Sequence, residues 1–183
     1  MTAAPAHPAP APARRRLAGF TGAGYDKGRN TLWQAAWFAT SNLVAMKWWC
    51  PSPVRIAILR AFGADIGTGV LMRHRVRVHW PWKLTIGNDC WIGEGAWILN
   101  LEPVTIGNDV CISQEALLCT GSHDRRSETF EFDNGPIVIE DGAWVAARSI
   151  VLRGVTLGSG SVVGAAATVG HSVAAGHVAA SQR

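Results

Sequence analysis

An aliphatic residue returns at every sixth position through long stretches of this chain: Ile86, Ile92, Ile98; then Ile106, Ile112, Leu118; then Ile139, Val145, Val151, Leu157, Val163, Val169. A helix requires a return every three or four residues and a flat strand every two, so a sustained period of six predicts short strands wound into a prism, with one aliphatic residue buried per side of each coil. Glycine often follows the aliphatic position, as in Ile86-Gly87, Ile106-Gly107 and Val163-Gly164, and Asn88-Asp89 and Asn108-Asp109 occupy similar places. These residues tolerate the left-handed backbone of a tight corner, so period and turn chemistry agree on an all-β solenoid.

The period is interrupted at defined places. An earlier register, Ile66, Met72, Val78, Leu84, slips by two residues before Ile86, and a second slip separates Ile98 from Ile106 through Leu101-Glu102-Pro103. Between Leu118 and Ile139 a longer polar stretch containing Ser122-His123-Asp124-Arg125-Arg126-Ser127-Glu128 replaces regular coil. A side chain leaves a stacked wall to meet a ligand most readily at such breaks.

Before the repeat, residues 31–50 place Trp33, Trp37, Val44 and Trp48 on one side of an expected amphipathic helix, and Ser52-Pro53 reads as the N-cap and first position of a second, short helix. Polar residues interrupt the first helix too often for a membrane span. Two roles fit residues 31–62: a cap over the open strand edge at the end of the solenoid, or contact with a membrane surface through the tryptophans and nearby Lys and Arg.

The 183 residues are enough for one domain with a sizeable core. Residues 1–30 form an expected disordered tail, almost wholly Ala and Pro through residue 13 and then basic; residues 63–180 form the repeat domain, with a loop at 120–136. No apolar stretch suited to a secretory signal follows Arg14-Arg15-Arg16, so the protein is expected in the cytoplasm, with membrane contact at most peripheral. The formal charge of +4 arises within residues 1–30, where five basic residues face one acidic residue, leaving a neutral body. A neutral body argues against nucleic acid as a partner. Four cysteines, Cys50, Cys90, Cys111 and Cys119, lack metal-site spacing and are expected to be free, mostly buried thiols.

The repeat, the motif Cys119-Thr120-Gly121-Ser122-His123-Asp124 and the stretch Ile139-Glu140-Asp141-Gly142-Ala143-Trp144-Val145-Ala146-Ala147 resemble the left-handed β-helix acyltransferases. The likeness is to the colanic acid acetyltransferase type, related to maltose and galactoside acetyltransferases, and it spans about residues 62–178. The left hand of the coil is implied by this resemblance alone, since crossovers between parallel strands are normally right-handed. The resemblance also implies a homotrimer whose clefts are shared between chains. It implies acetyl-CoA as acyl donor without a metal, and a sugar, nucleotide-sugar or lipid-linked glycan as acceptor in exopolysaccharide or cell-surface glycan synthesis.

Acetyl transfer to a hydroxyl needs a base for the attacking O–H, and a neutral imidazole suits that near pH 7. His123, in the polar loop, is the candidate base. Asp124 either orients the imidazole or caps the turn. By resemblance, Asn100 contacts the acceptor and Trp144 lines the cleft. Ala147 and Ala165, eighteen residues apart and so stacked, adjoin the pantetheine arm, while Thr168 and His171 approach the nucleotide end of coenzyme A. Family members usually continue beyond this point with a Gly-Asn-Pro turn and a basic tail where this chain ends in Ser181-Gln182-Arg183, so some phosphate contacts are expected to be missing. Two other functions share the fold: a non-catalytic scaffold, and a gamma-type carbonic anhydrase using His74, His79 and His123 on zinc. The order of those histidines and the neighbouring Arg73, Arg75 and Arg77 disfavour the latter. Direct transfer is expected over an acetyl-enzyme, because nothing in the spacing obliges Cys119 to meet His123.

Overall fold

The structure, a computed structural model, describes residues 15–180. The Ala/Pro stretch, Arg14 and the terminal Ser181-Gln182-Arg183 lie outside the described residues.

The chain winds into a left-handed parallel β-helix of about six turns. Its strands stack into three parallel sheets, one per prism face. On the first face Ile66 pairs with Ile86, Ile86 with Ile106, Ile106 with Ile139 and Ile139 with Leu157. The second face stacks Met72, Ile92, Ile112, Val145 and Val163, and the third stacks Val78, Ile98, Leu118, Val151 and Val169. These residues form the buried core predicted by the six-residue period. Each is held by like residues one coil above and below, so burial repeats without long-range pairing rules.

The register also locates the interruptions. Steps from first to second face and from second to third keep six residues throughout the coils that carry the core; every extra residue falls between a third-face strand and the next first-face strand. The two-residue slips lengthen first-face strands to Leu84–Ile86 and Val104–Ile106, where Leu84 and Val104 add a second inward aliphatic residue. Both slips and the 120–136 loop thus stack on one corner of the prism.

At the N-terminal end, α1 (Thr31–Thr40) starts at Asn30, whose side chain accepts the Trp33 N–H at 2.9 Å. The tryptophan spacing predicts a helix to residue 50, but α1 gives way to a π-type turn at Ser41–Ala45. There the Asn42 amide donates to the Phe38 carbonyl at 2.7 Å, a side-chain bond that competes with regular helix. Trp33 and Trp37 both pack on Phe62, whereas Trp48 lies past the turn and is exposed. Helix α2 (Ser52–Ala61) starts one residue earlier than expected, after Pro51, and the Ser52 hydroxyl does not cap it but accepts the Met72 N–H at 2.9 Å.

That bond belongs to a set covering the open end of the prism on all three faces. Arg60 donates to the carbonyls of Ile66 and Gly67, Arg55 to Met72, and the Trp37 indole to Val78 and His79. Arg55 is buried, and its guanidinium also donates to the carbonyls of Ala45, Lys47 and Cys50. Burial pulls its pKa below the usual arginine value, partly offset by Cys50. Carbonyl oxygens, with no carboxylate, satisfy the cation. These bonds fit the expected capping role of residues 31–62, since carbonyls on all three edges of the first coil already have partners.

Residues 15–30 depart from the expected disordered tail. They hold a 3₁₀ turn at Leu17–Gly19 and run along the irregular corner, bonded to the loop. Composition misjudges them because their ordering comes from aromatic and carboxylate partners more than a hundred residues away.

Candidate active site

Loop 120–136 is built as a small hairpin. Gly135 N–H donates to Thr120 O at its base, Asp133 N–H to Ser122 O, and Asp124 N–H to Glu131 O, with His123 opposite Phe132 in an antiparallel bridge. Gly121 sits at the base, close under Leu101, whose Cδ1 would lie 2.8 Å from a Cβ there and would have to shift. Arg153 pairs with Asp133 and ties the hairpin to the following coil.

Within this hairpin the His123 ring is tightly specified. Its Nδ1 lies 2.7 Å from the Phe130 carbonyl, and only a protonated Nδ1 can make that bond. Nε2 then keeps its lone pair. The ring stacks on Phe130 at 4.3 Å between centroids and on Phe132 at 5.2 Å, with Phe20 edge-on at 5.7 Å. Phe130 itself holds φ +59°, an uncommon conformation for an aromatic residue. Backbone strain therefore coincides with the carbonyl that holds the imidazole.

The other predicted residues separate. Asp124 uses its carboxylate to accept the Arg126 N–H at 2.8 Å, so of its two expected roles the geometry favours the turn cap, and the Phe130 carbonyl contacts the imidazole instead. Asn100 is 0% exposed; its Oδ1 accepts the N–H groups of His79 and Trp80, and its amide donates to Trp80 O at 2.6 Å. An acceptor sugar could not reach it without breaking these bonds, so the expected substrate contact is corrected to a corner-fixing role. The reason is the slip: the corner chain turns back over a coil whose backbone groups there lack strand partners.

Trp144 points outward from the second face, half exposed, with its indole donating to Ser113 Oγ at 2.9 Å. The second face is opposite the corner bearing His123, so one chain does not bring the two together. Ala147 and Ala165 stack at the corner between second and third faces, where Ala166 N–H donates to Ala147 O at 2.9 Å. Thr168 and His171 line an open cavity of about 420 Å³ at the C-terminal end, with Ser172 and His177. Cys119 directs its thiol at the Gly121 carbonyl, 3.4 Å away. Cys50 and Cys90 are buried, while Cys111 and Cys119 are only half-buried.

The histidines considered for zinc are also apart. His74 faces Glu94 at 3.3 Å near the corner between second and third faces, while His79 packs on Trp80 at the irregular corner. Burial, then Lys27 and Lys83, pushes the His79 pKa below the ordinary value. Among the described residues no group of three or more His, Cys, Asp or Glu is placed to hold a metal ion.

The aromatic residues around His123 do not stand out in the sequence as site residues. Phe130 and Phe132 alternate two apart in the loop, which is a readable strand signal. Phe20, Tyr25 and Trp80 carry none.

Known proteins share this architecture. A family described as "Hexapeptide repeat of succinyl-transferase" matches residues 83–113 and 136–170. A protein of Escherichia coli K12 described as a colanic acid biosynthesis acetyltransferase, WcaF, is 43% identical over 135 residues, covering 72% of this chain and 71% of that protein. A hexapeptide-repeat acetyltransferase from Vibrio cholerae, solved with acetyl coenzyme A, superimposes with a TM-score of 0.77 at 24% identity over 87% of this chain and 88% of that one. A maltose O-acetyltransferase from Clostridium difficile gives a TM-score of 0.68 at 18% identity, over 82% and 84% of the two chains. At these identities the solved structures bear on the fold.

Proposed function

Because this chain belongs to the hexapeptide-repeat acetyltransferase family, we propose that it transfers acetyl from acetyl-CoA to a sugar hydroxyl, with His123 as general base. The observation that carries the reading is the His123–Phe130 bond, which leaves Nε2 as a proton acceptor on a half-buried ring at a break in the solenoid. The acceptor oxygen attacks the thioester carbonyl carbon as its proton passes to Nε2. The tetrahedral oxyanion then collapses, the C–S bond breaks, and the leaving thiolate takes the proton back from the imidazolium. The Cys119 thiol contacts Gly121, which favours this direct transfer over an acetyl-enzyme.

The acceptor class is supported by the E. coli relative, whose description concerns colanic acid biosynthesis. For this chain we assign a sugar unit of a cell-surface polysaccharide, free, nucleotide-linked or lipid-linked. Thioester release from acetyl-CoA, followed with each of these acceptor types, is the test. Release that depends on a sugar acceptor is expected. Acceptor-independent hydrolysis, or release that survives His123→Ala undiminished, would overturn the reading.

A homotrimer is part of the same proposal, and the faces support it. Outward positions on the first face are Asp65, Thr85, Thr105, Val138 and Thr156, mostly polar. Those on the second face include Leu71, Trp91 and Trp144, and those on the third Trp97, Leu117 and Ile150. Two apolar faces meeting at one corner fit a threefold arrangement in which the second face of one copy covers the third face of the next. That arrangement would bring a neighbouring Trp144 toward the cleft beside His123. Light scattering should report a trimer, and an active monomer would reject it.

A peripheral membrane role is supported by Leu32, Phe38, Leu43, Trp48 and Trp49, all exposed on the cap. No helix among the described residues is long and apolar enough to cross a membrane. Sedimentation with anionic vesicles, weakened by salt, is expected; no sedimentation at low salt would leave capping alone.

A further inference from the structure

The segment 16–28 crosses the irregular corner and touches the histidine and the returning side of the loop, residues 128–132. Glu131, between the two phenylalanines that pack on His123, accepts three bonds from this segment: Oε1 from the Thr21 N–H at 3.0 Å and the Thr21 hydroxyl at 3.2 Å, Oε2 from the Gly22 N–H at 3.0 Å. Gly22 holds φ +66°, which lets successive N–H groups converge on one carboxylate. Upstream, Arg16 donates its N–H to Glu128 O at 2.8 Å and pairs with the Glu128 carboxylate at 3.0 Å. Between these anchors Phe20 sets its ring edge against both His123 and Phe132, at 5.7 and 5.1 Å.

The far end of the segment is fixed to the coils below. The Trp80 indole donates to Tyr25 Oη at 2.6 Å, the Trp82 indole to Lys27 O at 2.7 Å, and Lys83 Nζ to Asp26 O at 2.5 Å. Tyr25 also packs on Phe132 at 5.0 Å. The chain then enters α1 at Asn30. The hairpin stands outside the stacked coils, and its own bonds do not fix the side of the imidazole that Phe20 covers.

We infer that residues 16–28 are a strap that holds the loop in its working geometry, with Glu131 as the clasp and Phe20 as a positioning residue for the His123 ring. The inference rests on His123 being the base. A ring free to rotate about its Cβ bond would lose the Phe130 carbonyl and with it the preference for one tautomer, and proton transfer would slow while donor binding remained.

The test uses the full-length chain carrying Phe20→Ala, Phe20→Tyr or Glu131→Ala, with steady-state kinetics and ¹⁵N NMR of the histidine ring nitrogens. Phe20→Ala and Glu131→Ala should each lower kcat by about tenfold, as expected for small misplacement of a catalytic group. KM for acetyl-CoA should stay within about twofold. The His123 nitrogens should shift from a single tautomer toward a mixture in both variants, while Phe20→Tyr keeps both kcat and spectrum. Wild-type kcat with a single tautomer in either Ala variant would overturn the inference, and so would a rise in kcat, which would make the strap an inhibitor. If His123→Ala retains activity, the base assignment fails on its own, and the nitrogen spectra still decide whether the strap orders the ring.

Discussion

The wall of the prism and its irregular corner are made from the same chain by opposite rules. Along the wall, each inward position repeats the same kind of residue, Ile98 beneath Leu118 beneath Val151, and every strand is held by its copies above and below. At the corner, no position repeats: His79, Asn100 and the hairpin bearing His123 follow one another, and their bonds run to backbone carbonyls, carboxylates and aromatic rings. The wall has many equivalent contacts, so losing one costs stability and leaves chemistry in place. The corner has few, and each orients something. A solenoid can thus carry a precise site because the variation is confined to one edge and the remaining two corners keep their six-residue steps.

The comparison can be broken most severely from the wall side. Ile98→Ala empties a fully buried position and should destabilise the fold by about 3 kcal/mol, within the usual range for large-to-small core changes, as read by denaturant unfolding. Activity per folded molecule should be nearly unchanged. His123→Ala should do the reverse, lowering kcat on the order of a hundredfold, about 2.7 kcal/mol of transition-state stabilisation, with acetyl-CoA binding by calorimetry and thermal unfolding both close to wild type. If either variant moved both readouts together, wall and corner would not be separable.

A smaller effect belongs to His79, half-buried at the corner. Its folded pKa lies below the unfolded value, so the unfolded chain takes up a proton first as pH falls. The stability this group contributes as a neutral ring is therefore present above about pH 6.5, the unfolded value, and declines as pH drops from there toward the folded pKa. Unfolding midpoints measured from pH 7.5 down to 5.5 should fall, and His79→Phe should flatten that part of the profile. The smallest effect is expected from Cys119→Ser, which should leave kcat within about twofold of wild type if no acyl-thiol forms. A stoichiometric acetyl adduct on Cys119 with acetyl-CoA alone would reverse that expectation.

Much of the wall is legible in the order of residues alone. The six-residue return names the core residues directly, the glycine and Asn-Asp corners follow from backbone chemistry, and eighteen-residue spacing places Ala147 beneath Ala165. The break in the repeat also points to His123. The corner is less legible. Asn100 is matched to a ligand contact by resemblance alone, yet its amide is consumed by the backbone of the coil below. Arg55 carries no signal in the sequence, and it is buried against four carbonyls.

The sequence by itself determined the solenoid, its inward ladder and the places where regular coil stops, because all of these depend on residues at short, constant separations. Only the tertiary structure decided that both slips and the loop share one corner with a strap from residues 16–28, that the Phe130 carbonyl holds His123, and that Trp144 lies on the opposite face. The Thr21–Glu131 bond joins residues 110 apart, and no period or local propensity encodes a meeting of that kind. It forms because the coils set the corner in place and leave aromatic and carboxylate groups there for the segment to satisfy.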